Sequence, residues 1–137
     1  MIITDPNKLA TISKPTTWGE VERLNLINRL RAANDTAWCP GCGLAAIQIG
    51  VPLRFAWYKW RGREHTIMNP EIVSLSGKYK RHEEGCLSIP DKWSRVYRHY
   101  KIVYMNDGTR KTAKGLRARI IQHEIDHMNG ILNTDRG

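Results

Sequence analysis

No stretch of the 137 residues approaches the ~20 consecutive apolar residues that a membrane span requires. The opening segment, MIITDPNKLATISKP, has no apolar core of the kind a secretory signal needs and contains no arginine, which argues against an organelle transit peptide. The expectation is a protein that works in the cytoplasm, without membrane contact. Cysteine is scarce: Cys39, Cys42 and Cys86 cannot all pair within one chain, which argues against a disulfide framework. Unpaired cysteines in such a protein are metal ligands or buried packing groups. There is no internal repeat, low-complexity tract or long linker, and no signature of specific DNA recognition. Acidic residues are also short, 13 against 22 basic ones, giving a net charge of +9. Much of the excess lies between Lys78 and Arg119. Such a field favours polyanions, and equally serves as a solubilising surface.

What is present is the composition of a folded protein, 41% hydrophobic and 26% charged, in a length that suits one domain spanning residues 1–137. Thr17 followed by Glu20 forms a capping-box pattern and predicts a helix from about Thr17 to Ala33, with Val21, Leu24, Ile27, Leu30 and the Arg31 stem on one side. Asn34-Asp35 ends it, and the glycines around Pro40 demand a tight, irregular backbone. The middle reads as strands. Leu53, Phe55 and Trp57 alternate, Ile72, Ser74 and Ser76 alternate with Val73 and Leu75, and Tyr100–Met105 is β-branched and aromatic before an Asn106-Asp107-Gly108 turn. Pro70 and Pro90 predict turns or edges. A second helix is expected from about Ala113 to Asn129, with Leu116, Ile120, Ile121, Ile125 and Met128 in period and Gly130 as its cap. Helix, strands, helix suggests an α+β fold.

The informative stretch is His123-Glu124-Ile125-Asp126-His127. Histidines four apart on a helix stack one turn above each other, so both imidazoles can grip one ion. Glu124 lies about 100° around the axis and can face a water at that ion without ligating it. Two polar histidines on an otherwise apolar helix need a reason, and a metal supplies one. The other three, His65, His82 and His99, sit beside basic residues and suit surface roles.

Two imidazoles leave a site short of its usual three protein ligands. Cys86, in Glu84-Gly85-Cys86-Leu87-Ser88, would complete an open site with one vertex free for water. Alternatively, Cys39 and Cys42 of the C-P-G-C segment would close a structural zinc site, or act as a redox dithiol. The two pairs stand roughly 80 residues apart, far beyond zinc-finger spacing, and a closed site leaves Glu124 without a task.

With three stretches taken in order, the chain resembles the peptide deformylases. The glycine-rich motif stands as Gly41-Cys42-Gly43-Leu44-Ala45-Ala46-Ile47-Gln48, the second as Glu84 to Ser88, and the third as Gln122 to His127. Similarity extends through Asn69-Pro70, Ile89-Pro90 and Val96-x-Arg98, from about Ile3 to Arg136. The resemblance implies antiparallel sheets around a central helix that bears the third motif. It implies hydrolysis of the formyl group from N-formylmethionyl peptides, through a metal-bound water, with release of formate. Cys86, His123 and His127 would hold one divalent ion, Fe(II) by family habit, with zinc, nickel or cobalt as substitutes. Glu124 would be general base and then acid, and Gln48 and the Leu87 backbone N–H would donate to the oxyanion. Gly43 would meet the substrate backbone. Cys42, Trp93, Leu116 and Ile120 would line the methionine pocket, Glu84 would pair with Arg98, and Asp126 would anchor the helix or a ligand's second nitrogen.

Two departures accompany the resemblance. The chain stops at Gly137, where many bacterial relatives continue into a ribosome-docking helix. The +9 charge is an alternative route to a transient ribosome contact. Cys42 replaces a usual aliphatic residue and sets a soft thiol near the site.

Overall fold

A computed structural model describes residues 2–35 and 43–136, with the backbone alone at 90–92. Three helices come first: α1 (Pro6–Leu9), α2 (Trp18–Arg23) and α3 (Leu26–Asp35). Strand β1 (Gly43–Ala45) leads through a 3-10 turn (Ala46–Ile49) to β2 (Phe55–Trp60) and β3 (Arg63–Met68). A long ribbon follows, β4 (Glu71–Cys86) and β5 (Ile89–Asn106), then β6 (Thr109–Lys114), helix α4 (Gly115–Met128) and a terminal 3-10 turn (Asn133–Arg136). The strands form two antiparallel sheets, β1-β2-β3 and β4-β5-β6.

Helix α4 lies between the sheets. Its Ala118, Ile121 and Ile125 pack in one buried cluster with Ala45, Ala56, Tyr58 and Ile67 of the first sheet and Ile102, Tyr104 and Ala113 of the second. The opposite face of the first sheet presents Leu44, Phe55, Trp57 and Met68 to Val21, Leu26 and Leu30. This sheet is covered on both sides, which is why Phe55 to Tyr58 are all buried although the sequence suggested simple alternation there. The antiparallel sheets around a central helix are as expected.

Three local expectations need correction. The helix from Thr17 is two helices. Thr17 Oγ1 caps α2 by accepting from the Glu20 N–H (3.2 Å), but the chain turns at Asn25, whose φ is 53°. Asparagine tolerates this left-handed conformation, and here its Oδ1 also accepts from Asn28 Nδ2 at 2.8 Å. The break rotates the second half, so Leu26, Leu30 and Ala33 bury instead of Leu24 and Ile27. In β4 the register shifts between Ile72 and Ser74, and Ile72, Val73 and Leu75 stay exposed. Pro90 stands inside β5, where the register shifts again between Gly85 and Cys86. The Asp107-Gly108 turn is present with both φ values positive, as a tight hairpin requires.

Gly130 follows the α4 C-cap with φ 74°. A Cβ there would stand 2.4 Å from the Ala10 carbonyl oxygen, so glycine both ends the helix and admits the N-terminal segment. Ser13 N–H donates to Met128 O at 2.9 Å in the same region.

Candidate functional site

The second half of α4 buries Glu124, Asp126 and His127 and half-buries His123. Each of these groups must therefore find a partner. Four residues apart, His123 and His127 bring their Nε2 atoms to 3.1 Å. The β4–β5 hairpin approaches from the second sheet, and its Cys86 Sγ lies 3.5 Å from His127 Nε2. The three donor atoms all fall within 4.8 Å of one another, the one such group able to hold a metal among the described residues. Tetrahedral bonds of ~2.0–2.3 Å place neighbouring ligand atoms roughly 3.3–3.8 Å apart, so the donor set fits one ion with little adjustment. Cys39 and Cys42, and with them the closed-site alternative and the Cys42 pocket wall, lie outside the described residues.

Glu84, two residues before Cys86, orients this centre. Its Oε1 meets His123 Nδ1 at 2.9 Å, and Arg98 of β5 donates to both its oxygens at 2.8 and 3.0 Å. Burial would raise the Glu84 pKa, but His123 and Arg98 overcome it and hold the carboxyl at about 2. The expected Glu84–Arg98 pair is thus present, and Glu84 also takes the second ring nitrogen of His123, which leaves Asp126 the other role expected of it, anchoring the helix. Asp126 points the other way. It accepts from Arg98 Nη1, and from Arg136 Nε and Nη2 at 2.6 and 2.8 Å. Burial drives the His127 pKa well down, which keeps that imidazole neutral, as a ligand must be.

Glu124 is 3% exposed, and its Oε1 has no hydrogen-bond partner among the described residues. Burial pushes its pKa up to about 7. A carboxyl so placed can hold or release a proton near neutrality. Gln48 is buried in the 3-10 turn after β1. Its Oε1 accepts from the Ala45 N–H (3.0 Å) and its Nε2 lies 3.0 Å from Ser88 Oγ and 3.7 Å from Cys86 Sγ. Leu87 follows Cys86 at the hairpin tip, so its backbone is adjacent to the sulfur.

Gly43 opens β1, and the protein's own packing already requires a residue without a Cβ there. A Cβ would sit 2.7 Å from Trp57 O and Tyr58 Cβ, and 3.1 Å from Glu124 Oε2. Strand β2 and the glutamate already occupy that space. Of the pocket candidates, Ile120 is 8% exposed, whereas Leu116 and Trp93 are 48% and 69% exposed. The Trp93 ring covers Gly85 on the outer face of the ribbon. Two further contributors were invisible to sequence patterns. Asn133 donates to the Glu84 carbonyl at 3.2 Å, and Arg136 clamps Asp126. Both come from the short turn after α4, which carries no periodicity to mark it.

Comparison with known proteins agrees with this arrangement. The family model for polypeptide deformylase matches residues 1–137. A peptide deformylase of Brucella suis is 41% identical over 148 aligned positions, covering 98% of this chain and 81% of the relative. The crystal structure of a Legionella pneumophila peptide deformylase superposes with a TM-score of 0.86 at 38% identity, covering 100% of this chain and 85% of that one. A Met-Ala-Ser-bound class I type b peptide deformylase from Acinetobacter baumannii gives 0.87 at 27% identity, over 100% and 97%. With the fold, the donor set and these relatives in agreement, the chain belongs to the peptide deformylase family, metal-dependent hydrolases that remove N-terminal formyl groups.

Proposed function

We propose that the whole chain is one catalytic domain that deformylates N-formylmethionyl peptides, with Cys86, His123 and His127 holding one Fe(II) ion and Glu124 moving the proton. The carrying observation is the convergence of one sulfur and two imidazole nitrogens beside a buried carboxyl whose Oε1 has no hydrogen-bond partner among the described residues. When bound, the ion polarises the formyl carbonyl and makes water nucleophilic at neutral pH. Glu124 accepts the proton of the attacking water. As the formyl carbon becomes tetrahedral, charge gathers on its oxygen, and the Gln48 amide and Leu87 N–H donate to it. One such donor is typically worth about 3 kcal/mol. The Ser88 and Ala45 contacts hold the Gln48 amide in one orientation, so little is lost in positioning it during reaction. Glu124 then passes the proton to the departing amine, and formate leaves.

Ile120, with Leu116 at the more open end of the same helix, supplies apolar surface for the methionine side chain, and the Met-Ala-Ser bound to the Acinetobacter relative supports this substrate class. Trp93 shields the hairpin backbone at Gly85 beside the metal-binding sulfur. No helix among the described residues is long and apolar enough to cross a membrane. A cytoplasmic location, among nascent chains and in transient contact with the ribosome, completes the reading.

The test is an anaerobic assay on a formyl-Met-Ala peptide with metal quantified. Glu124→Ala should keep one ion per chain and lose about 10²-fold or more in kcat. Cys86→Ser should lose both metal and turnover. Full activity in Glu124→Ala, or stoichiometric metal and turnover in Cys86→Ser, would overturn the assignment.

A further inference from the structure

Along the ribbon, β5 turns one side inward, whereas β4 is exposed at every residue from Glu71 to Arg81. Val96, Arg98, Ile102 and Tyr104 of β5 are buried and mark the inner side, towards α4. The alternate residues point outward. In register across the strands these are Arg81 with Tyr97, Tyr79 with His99, and Lys101 with Lys114 of β6. Tyr79 and Tyr97 are 55% and 40% exposed. Their rings are not scattered. Tyr79 stacks on His99 at 4.6 Å between centroids and meets Tyr97 at 5.2 Å, tilted by 34°. Three rings thus form a continuous aromatic strip in the middle of an outward sheet face.

Cations border the strip on both sides. Arg81 and Arg95 lie towards the hairpin end, Lys101 and Lys114 towards the other, and the acidic Glu83 lies 3.9 Å from Arg95. A solvated face kept only for solubility does not need exposed tyrosines, which lose favourable burial in water. A membrane surface would match the cations and the exposed Trp93 at the hairpin end, but not a strip of stacked phenol and imidazole rings at the centre of the face. A single-stranded nucleic acid matches both features: bases stack on rings in any sequence, while phosphates lie on flanking Lys and Arg. From Arg95 to Lys101 the strand advances ~20 Å, room for a few nucleotides.

We infer that the outer face of the β4–β5–β6 sheet is a binding platform for single-stranded RNA, with Tyr79 and Tyr97 as stacking surfaces and Arg81, Lys101 and Lys114 as phosphate contacts. The platform uses none of the metal-centre residues. Its failure would leave the deformylation chemistry intact, and the reverse also holds.

The experiment titrates the metal-loaded protein into a fluorescently labelled single-stranded RNA of about twelve nucleotides and follows anisotropy at several salt concentrations. Wild-type protein should bind, with a slope of log K against log salt of about −2, as expected for three phosphates at ~0.7 each. Tyr79→Ala/Tyr97→Ala should weaken binding about tenfold or more. Tyr79→Phe/Tyr97→Phe, which keeps the rings, should bind as wild type. Arg81→Glu/Lys101→Glu should weaken binding and flatten the salt slope. All three variants should deformylate a formyl dipeptide at the wild-type rate, which also shows that they fold. Absence of RNA binding by the wild type, or equal binding by the alanine pair, overturns the proposal. So does equally tight binding to vesicles of anionic lipid, which would reduce the face to charge alone. A dimer in sedimentation that the alanine pair dissolves would likewise reassign the face to self-association.

Discussion

Gly43 is where backbone geometry and chemistry meet most closely. Its missing Cβ would overlap the Trp57 carbonyl oxygen and press on Glu124 Oε2. Gly43→Ala should therefore destabilise the fold by about 1–3 kcal/mol through overpacking, seen as a lower melting temperature. It should also lower kcat, because the carboxyl proposed to move the proton is displaced. A raised KM with kcat preserved would show instead that the glycine serves substrate approach, which is the role the sequence motif suggested. The histidine pair proposed as ligands was legible because helical geometry alone stacks residues 123 and 127. Cys86 is favoured as the third because an open site gives Glu124 a task, not because spacing points to it. Cys86 and the Cys39–Cys42 pair stayed rivals on spacing, and what brings Cys86 to the helix is a hairpin whose reach depends on the pairing of two residues 14 apart in sequence, Glu84 and Arg98. Asn133 and Arg136 act through single contacts with no pattern behind them.

At the scale of elements, the sequence revealed α4 nearly to its ends, since its apolar period, the Gly130 stop and the buried face coincide. It blurred α2 and α3 because a left-handed residue inside an apolar periodic run leaves the hydrophobic count almost unchanged. Asn25 has φ 53°, its carbonyl accepts from the Arg29 N–H at 3.1 Å, and its side chain accepts from Asn28. Asn25→Ala should cost about 1–2 kcal/mol from left-handed strain, whereas Asn25→Gly should stay within a few tenths. Urea midpoints with an unchanged m-value would verify this ordering. Equal midpoints for the two variants would mean that a continuous helix is accessible and the break is not required. Likewise, β2 hid its two-sided burial because four consecutive apolar residues fit a buried strand or a helix segment equally well until the flanking layers are known.

Across the whole molecule, one buried guanidinium joins the sheet that carries Cys86 to the helix that carries the histidines. Arg98 is 2% exposed, and it holds Glu84 at 10% and Asp126 at 8% side-chain exposure. Through Glu84 the link reaches His123 Nδ1, and through Asp126 it reaches Arg136 near the end of the chain. Removing Arg98 leaves two buried carboxylates facing each other's field, a change that typically costs about 3–5 kcal/mol. Arg98→Met should therefore lower stability by that order and weaken metal affinity about 10- to 100-fold, since His123 loses the group that holds its orienting carboxylate in place. Arg136→Met should do much less to both, because Asp126 keeps Arg98 and the Arg136 side chain is already 38% exposed. Chelator competition and thermal unfolding on the two variants separate the readings. If Arg98→Met loses stability but keeps wild-type metal affinity, the guanidinium braces the fold alone. If metal affinity falls in step with stability, the fold and the metal centre share one electrostatic support, and the site cannot be loosened without loosening the join between its two walls.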